Sequence, residues 1–162
     1  MKTLFLLITA VFFLSSCTYT LKSKRFENIK NVHITQVANA TNDYTLPQIM
    51  TDALMKAFQR DNNYTVTRDE AISDAVLTVN ILTYERKTLS NDSSGSPTSF
   101  KISLRIAYTF TAVLEKKELD ADADYIYELV YKTESLVSDD DIKRDIIAKL
   151  ADELKMQITE GF

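Results

Sequence analysis

The chain has 162 residues, with nineteen basic and twenty-three acidic side chains, a formal charge of −4, and a single histidine and a single cysteine. This mild acidity argues against general nucleic-acid binding, and with only two glycines and two prolines the chain has no long flexible linker. Behind its first sixteen residues the remaining 146 fit one domain with one core.

The chain opens with Lys2, an apolar run over residues 4–14 (LFLLITAVFFL), the small pair Ser15 and Ser16, and then Cys17. Charge, apolar run, small residues and a processing point follow each other as in a secretory signal. Eleven residues are too few to cross a hydrocarbon core of about 30 Å as a helix, so residues 1–16 read as a cleaved leader rather than a permanent span. Its removal leaves eighteen basic against twenty-three acidic residues. Residues 18–30 (TYTLKSKRFENIK) are polar and basic without a clear period, and with Cys17 they form a tether (17–30) to a domain over residues 31–162.

Within that domain, residues 32–37 (VHITQV) alternate, with Val32 and Ile34 on one face, which predicts a first strand. Residues 39–45 (NATNDYT) are rich in turn formers and lead to Pro47 in the first turn of a helix. Over residues 46–61 the apolar side chains of Ile49, Ala53, Leu54, Ala57 and Phe58 recur at helical spacing. Asp61, Asn62 and Asn63 stop that helix, residues 64–67 (YTVT) are a short extended piece, and residues 69–74 are polar and loop-like.

The strongest pattern follows. Ala75, Leu77, Val79 and Ile81 alternate with polar or smaller neighbours, as do Phe100, Ile102, Leu104, Ile106, Tyr108, Phe110, Ala112 and Leu114, which predicts two strands with one face in the core. Between them lies the polar loop 90–99 (SNDSSGSPTS), the tip of a long hairpin. A second turn region, residues 115–124 (EKKELDADAD), precedes a fourth strand in which Tyr125, Tyr127, Leu129 and Tyr131 alternate with Ile126, Glu128, Val130 and Lys132. Ser138 followed by three aspartates reads as a helix start, since a capping hydroxyl and early carboxylates suit the positive end of the helix dipole. Ile142, Ile146, Leu150, Leu154 and Ile158 form its apolar stripe, and Gly161 is a stop signal.

The expected fold is therefore α+β: a two-layer sandwich with two helices on one face of a four-stranded, mainly antiparallel sheet, in the order β-α-β-β-β-α.

Signals for catalysis are sparse. His33 has no catalytic neighbour in sequence and reads as a solvent-facing strand residue; no G-x-S-x-G elbow occurs. Asp120, Asp122 and Asp124 have the spacing that opens a calcium loop, but Tyr125 stands where that loop needs Gly and Tyr131 where it needs Glu. No metal site, cofactor or enzymatic activity is expected. A binding surface is the better candidate. If the hairpin keeps phase, Tyr84, Arg86, Lys101 and Arg105 point together away from the helices. Such a basic and aromatic cluster suits phosphorylated or carboxylated lipid head groups; it reads equally as a solvated face.

Two resemblances sharpen this reading. Leu14-Ser15-Ser16-Cys17 resembles the lipobox of bacterial lipoproteins, which implies cleavage before Cys17 and acylation of its thiol, palmitate included; the alternative is a stray or buried thiol at an ordinary cleavage site. By analogy with enterobacterial sorting, Thr18 in place of Asp implies the outer membrane, on its periplasmic side. The chain as a whole resembles the LptE family of lipopolysaccharide-assembly lipoproteins. The likeness rests on the aromatic after the cysteine (Cys17-Thr18-Tyr19), on VHITQVANAT, on TDALMKAFQRDNNYTVTRDEAISDAVLTVNI, on LTYERKTLSNDSSGSPTSFKISLRI and on the closing ITEGF. It departs from the family where Thr35-Gln36-Val37-Ala38-Asn39 replaces a proline and an aromatic, and where the glycine beside the cysteine is missing.

What the second resemblance implies is a non-catalytic subunit. It would plug the lumen of an LptD-type β-barrel, assist its assembly and help receive lipopolysaccharide, with the tip Asp92, Ser93, Ser94 and Gly95 meeting barrel or lipid. A periplasm-facing lipoprotein adaptor of another envelope complex is the alternative.

Overall fold

The computed structural model describes residues 25–132 and 138–161. The leader and Cys17 lie outside the described residues. Strand β1 (Asn31–Ile34) is followed by β2 (Ala38–Asn39), helix α1 (Leu46–Gln59), β3 (Thr65–Thr67) and a single 3-10 turn (Glu70–Ile72). Three long strands, β4 (Ala75–Asn91), β5 (Pro97–Ala112) and β6 (Lys117–Lys132), lead to helix α2 (Asp139–Glu160).

The α+β class is as expected, but the sheet has six strands rather than four. Its order is β3-β1-β4-β5-β6, with β2 also paired to β4. The sheet is mixed: β1 runs parallel to both β3 and β4, and β2 is parallel to β4, whereas β4, β5 and β6 form an antiparallel meander. The expected first strand is split, because after Ile34 the chain leaves the ladder. There Val37 N donates to the Thr51 hydroxyl at 3.1 Å, and Val37 turns into the core. The expected turn at 115–124 is also corrected. Only residues 113–116 turn, and the acidic stretch 117–124 is the first half of β6.

One face of the sheet carries the core. Val32, Ile34, Leu77, Val79, Ile81, Leu104, Ile106 and Phe110 are almost wholly buried there. Helix α1 covers them with Ile49, Met50, Leu54 and Phe58, and α2 with Ile142, Ile146, Leu150, Leu154 and Ile158. The helices also bind each other at their C-terminal halves, through ion pairs from Arg60 to Asp152 at 2.5 Å and from Lys155 to Asp61 at 2.5 Å.

Each helix forms for local reasons. Pro47 supplies a helical φ where no amide donor is needed. In α2 the cap is reciprocal: Asp141 N donates to Ser138 Oγ at 3.2 Å and Ser138 Oγ donates to the Asp141 carboxylate at 2.6 Å. Gly161, with φ +73°, ends it in the left-handed conformation that favours glycine.

Register between β4 and β5 is broken three times and between β5 and β6 twice, and the first break on β4 matters most. Ile81 faces Ile106, yet Thr83 faces Arg105, so Leu82 is an extra residue on β4. One extra residue in a period-two pattern sends every later side chain to the opposite face.

The long axis of the domain has two distinct ends. At one end β4 begins, β5 ends and the four-residue turn 113–116 joins β5 to β6; at the other, β4 and β5 meet in the tip around residue 94. The sixteen residues of β5 separate them by about 50 Å at about 3.3 Å per residue. From Glu85 to Asn91 every residue of β4 is exposed, so the hairpin projects past the helix layer.

Candidate functional site

The bulge at Leu82 divides the residues that the sequence groups together. Tyr84 pairs with Leu104 and Arg86 with Ile102, both core-facing partners, so Tyr84 and Arg86 lie on the helix side of the sheet. Arg105 pairs with Thr83 and Lys101 with Lys87, on the opposite face. The four residues are therefore not one cluster: the hairpin does not keep phase, and only Lys101 and Arg105 point away from the helices.

On the helix side Arg86 is a cover. Its guanidinium sits 3.7 Å from the Phe100 ring centroid, which keeps that ring buried on the projecting part of the hairpin, and it ion-pairs with Asp139 in the first turn of α2. Asp139 also takes Lys143 at 3.2 Å, and Lys143 reaches across to Asp43 at 2.7 Å, in the loop before α1. Lys143 is only 12% exposed at its side chain. Donation from Lys143, with help from the Thr45 hydroxyl, holds the Asp43 carboxyl down at about 2, and the same pairing raises Lys143. Arg86, Asp139, Lys143 and Asp43 thus staple the hairpin, the start of α2 and the start of α1 together.

Tyr84 stands beside this network, at an open recess of about 610 Å³ lined by Ala40, Asn42, Asp43 and Glu85 among others. Its hydroxyl is buried and has no hydrogen-bond partner among the described residues. Burial, with the nearby Asp139 carboxylate, raises its pKa above the ordinary phenol value.

On the outer face the two cations are neutralised by β6. The Arg105 guanidinium donates twice to Asp124, at 2.8 and 2.6 Å, and Lys101 lies 2.7 Å from Glu128. The open basic patch expected from sequence is instead a row of cross-strand ion pairs between half-exposed side chains. Sequence reasoning missed these partners for different reasons. Glu128 sits on a strand that the sequence shows, whereas the residues around Asp124 have the local composition of a turn.

The tip folds on itself. Asp92 accepts from the Ser94 amide at 2.8 Å, the Ser94 hydroxyl at 2.6 Å and the Ser96 amide at 2.8 Å. These donors lower the Asp92 pKa, chiefly through the Ser94 hydroxyl. Gly95 takes φ +86°, which the turn requires. Below the tip Ser90 bonds to both Thr98 and Ser99, at 2.8 and 2.7 Å. The tip residues Asp92, Ser93, Ser94 and Gly95 are thus a shaped, exposed and polar end.

His33 is half-buried and its Nδ1 bonds to the Thr67 carbonyl at 3.1 Å, a structural role across the β1–β3 pair. Among the described residues no group of three or more His, Cys, Asp or Glu side chains is placed to hold a metal ion, and no helix is long and apolar enough to cross a membrane.

A family model described as LptE, lipopolysaccharide-assembly, matches residues 29–158. The chain belongs to the LptE family. The match begins in the strand-leading segment and runs through both helices and the whole meander, so it covers the scaffold just described. No curated protein matches this LptE-family chain. Among solved structures, a DUF330-family protein from Xanthomonas campestris superposes with a TM-score of 0.53 at 10% identity, over 80% of this chain and 84% of that one; it shares the fold. Lipoprotein B from Nitrosomonas europaea gives a TM-score of 0.45 at 15% identity, over 79% and 83% of the two chains. The rare lipoprotein B of Shewanella oneidensis gives 0.40 at 14% identity, over 78% and 89%.

Proposed function

We propose that this LptE-family chain is the outer-membrane lipoprotein subunit of a lipopolysaccharide translocon. It is anchored through acylated Cys17 on the periplasmic side, and it plugs and helps assemble an LptD-type β-barrel and helps receive lipopolysaccharide. The observation that carries this reading is the family match across residues 29–158. The shape is consistent with it. A domain with a self-bonded polar tip about 50 Å from its opposite end is suited to entering a lumen, because a rigid insert loses little conformational entropy on docking.

In this reading the tip residues Asp92, Ser93, Ser94 and Gly95 meet the barrel wall or lipid. Lys101 and Arg105 contact lipid phosphates by exchanging their β6 carboxylates for ligand oxygens, as a half-exposed ion pair permits at small cost. Tyr84 and Arg86 serve on the other face, where Arg86 holds the hairpin to α2 and Tyr84 forms part of the wall of the recess beside Asp43. The role is one of binding and positioning, without turnover.

The test is a pull-down of the tagged, mature protein from outer membrane dissolved in mild detergent. A stoichiometric LptD-type barrel is the expected companion. Recovery of the lipoprotein alone, or with a different envelope complex, overturns the proposal.

A further inference from the structure

Strand β6 is an outer edge of the sheet, and its two halves are built differently. Residues 117–124 (KELDADAD) carry the carboxylates of Glu118, Asp120, Asp122 and Asp124, and the register to β5 slips twice there, at Leu119 and between Asp122 and Tyr125. Charge and bulges are the devices that stop an edge from pairing with another chain. Residues 125–132 (YIYELVYK) lack both. Their register runs unbroken from Tyr125 opposite Ile106 to Lys132 opposite Ser99, and all their side chains but Glu128 and Lys132 are apolar or aromatic. Of those two charges, Glu128 is neutralised within the sheet by Lys101. Ile126 and Val130 stand on the open face, 53% and 55% exposed, while Leu129 and Tyr131 are half-buried on the other.

Along the far side of this stretch, alternate backbone N–H and C=O groups point away from β5, because an antiparallel strand bonds one neighbour through every second residue. Among the described residues no strand lies on that side, and only β5 bonds to the backbone of residues 125–132. The bare edge is about 26 Å long at about 3.3 Å per residue. Helix α2 backs it, with the Tyr125 hydroxyl donating to Glu153 at 2.9 Å, so it is held extended before any partner arrives. Lys132 pairs with Ser99, near the start of β5 at Pro97, so the stretch lies on the half of the hairpin nearer the tip.

We infer that residues 125–132 are a strand-pairing edge, which takes up an extended segment of the protein partner that receives the tip and makes it a further strand of the sheet. This rests on the reading of the tip as the end that enters a barrel. The wall strands of a closed barrel are already bonded on both sides, so the occupant is a loop or terminal segment of the partner inside the lumen. Its chemistry follows from the edge: apolar or aromatic side chains beside Ile126 and Val130 on one face and Leu129 and Tyr131 on the other, and a carboxylate beside Lys132, which has no ion-pair partner among the described residues. A second copy of this chain fits poorly. In antiparallel pairing over nearly the whole stretch, one register sets Glu128 opposite Glu128, and the next sets Glu128 opposite Val130 and Lys132 opposite Ile126.

The test is residue-resolved amide hydrogen exchange on the full mature protein, once by itself and once in the complex pulled down from outer membrane. In the complex every second amide over residues 125–132 should slow by roughly tenfold or more, the protection that new ladder bonds give, with no change over residues 117–124. An Ile126→Lys, Val130→Lys variant should recover roughly tenfold less partner, since lysine blunts an edge. Both positions are exposed, so its circular dichroism spectrum and Tm should match those of the parent. A barrel companion that is bound while residues 125–132 exchange at the free rate, or slow no more than residues 117–124, overturns the edge and leaves the plug reading standing. Unchanged recovery of partner by the variant does the same. Alternate protection already present in the protein by itself, at twice the monomer mass, overturns the inference in favour of a second copy. Alternate protection in a complex with a different envelope protein upholds the edge and overturns the plug, and recovery of the lipoprotein alone overturns both.

Discussion

Replacing Lys143 by methionine keeps the aliphatic stem and removes the charge that joins α2 to the loop before α1. In the native protein Asp43 is held down from 3.8 to about 2, chiefly by donation from Lys143. A displacement of that size corresponds to about 2.4 kcal/mol at about 1.36 kcal/mol per pH unit. The Asp43 side chain is 26% exposed, and solvent screening reduces the figure; a loss of about 1–2 kcal/mol at pH 7 is expected for Lys143→Met. A carboxyl whose folded pKa is depressed stabilises the fold fully above its unfolded value, near 3.9, and that contribution disappears as pH falls through about 2. Urea unfolding of both proteins, followed by circular dichroism between pH 7 and pH 2, should show a gap that is flat down to about pH 5 and closes towards pH 2. A gap of the same size at pH 2 as at pH 7 would refute the linkage. No gap at pH 7 would show that the staple carries no net stability. A double-mutant cycle with Asp43→Asn should return most of the effect as coupling between the two residues.

Three further outcomes can be measured. Asp124→Asn with Glu128→Gln should change stability by about 1 kcal/mol or less, while freeing Lys101 and Arg105 and raising affinity for lipopolysaccharide; unchanged affinity would remove those two residues from the ligand surface. Ser138→Ala should cost about 1 kcal/mol in chemical unfolding by leaving the Asp141 amide at the start of α2 without its acceptor, and a loss below about 0.3 kcal/mol would show that Asp139, Asp140 and Asp141 suffice to start the helix. Cys17→Ala should move the protein from the membrane to the soluble fraction and abolish palmitate labelling, and labelling that persists in this variant would refute the assignment of the anchor.

The strand phase beyond Leu82 is where sequence and structure part. Up to Ile81 the alternation of β4 is legible residue by residue, and it is correct. Nothing in the run from Asn80 to Thr88 marks a bulge, since neither glycine nor proline interrupts it. The extra residue is chosen by the partner strand, because Leu104 and Ile102 need cover on the core face and Tyr84 and Arg86 supply it. The same holds for residues 117–124. Three alternating aspartates argue against a strand on local propensity, but in the folded protein Asp120 meets Arg25 and the Tyr108 hydroxyl, and Asp124 meets Arg105. Charge pairing across the sheet outweighs a weak local preference. Strand β2, two residues long, has no periodicity to read and exists only through its pairing with Asn80 and Ile81.

By itself the sequence determined the two helices with their buried stripes, the cap at Ser138, the stop at Gly161, the long hairpin with its polar tip and the family resemblance. Each of these is written in local chemistry or in a period that one segment carries alone. Only the tertiary structure decided the number of strands, the face on which each hairpin side chain lies, the carboxylates that neutralise Lys101 and Arg105, and the packing of Arg25 and Phe26 against β5 and β6. Register and charge pairing are properties of two segments at once, and neither segment encodes them without the other.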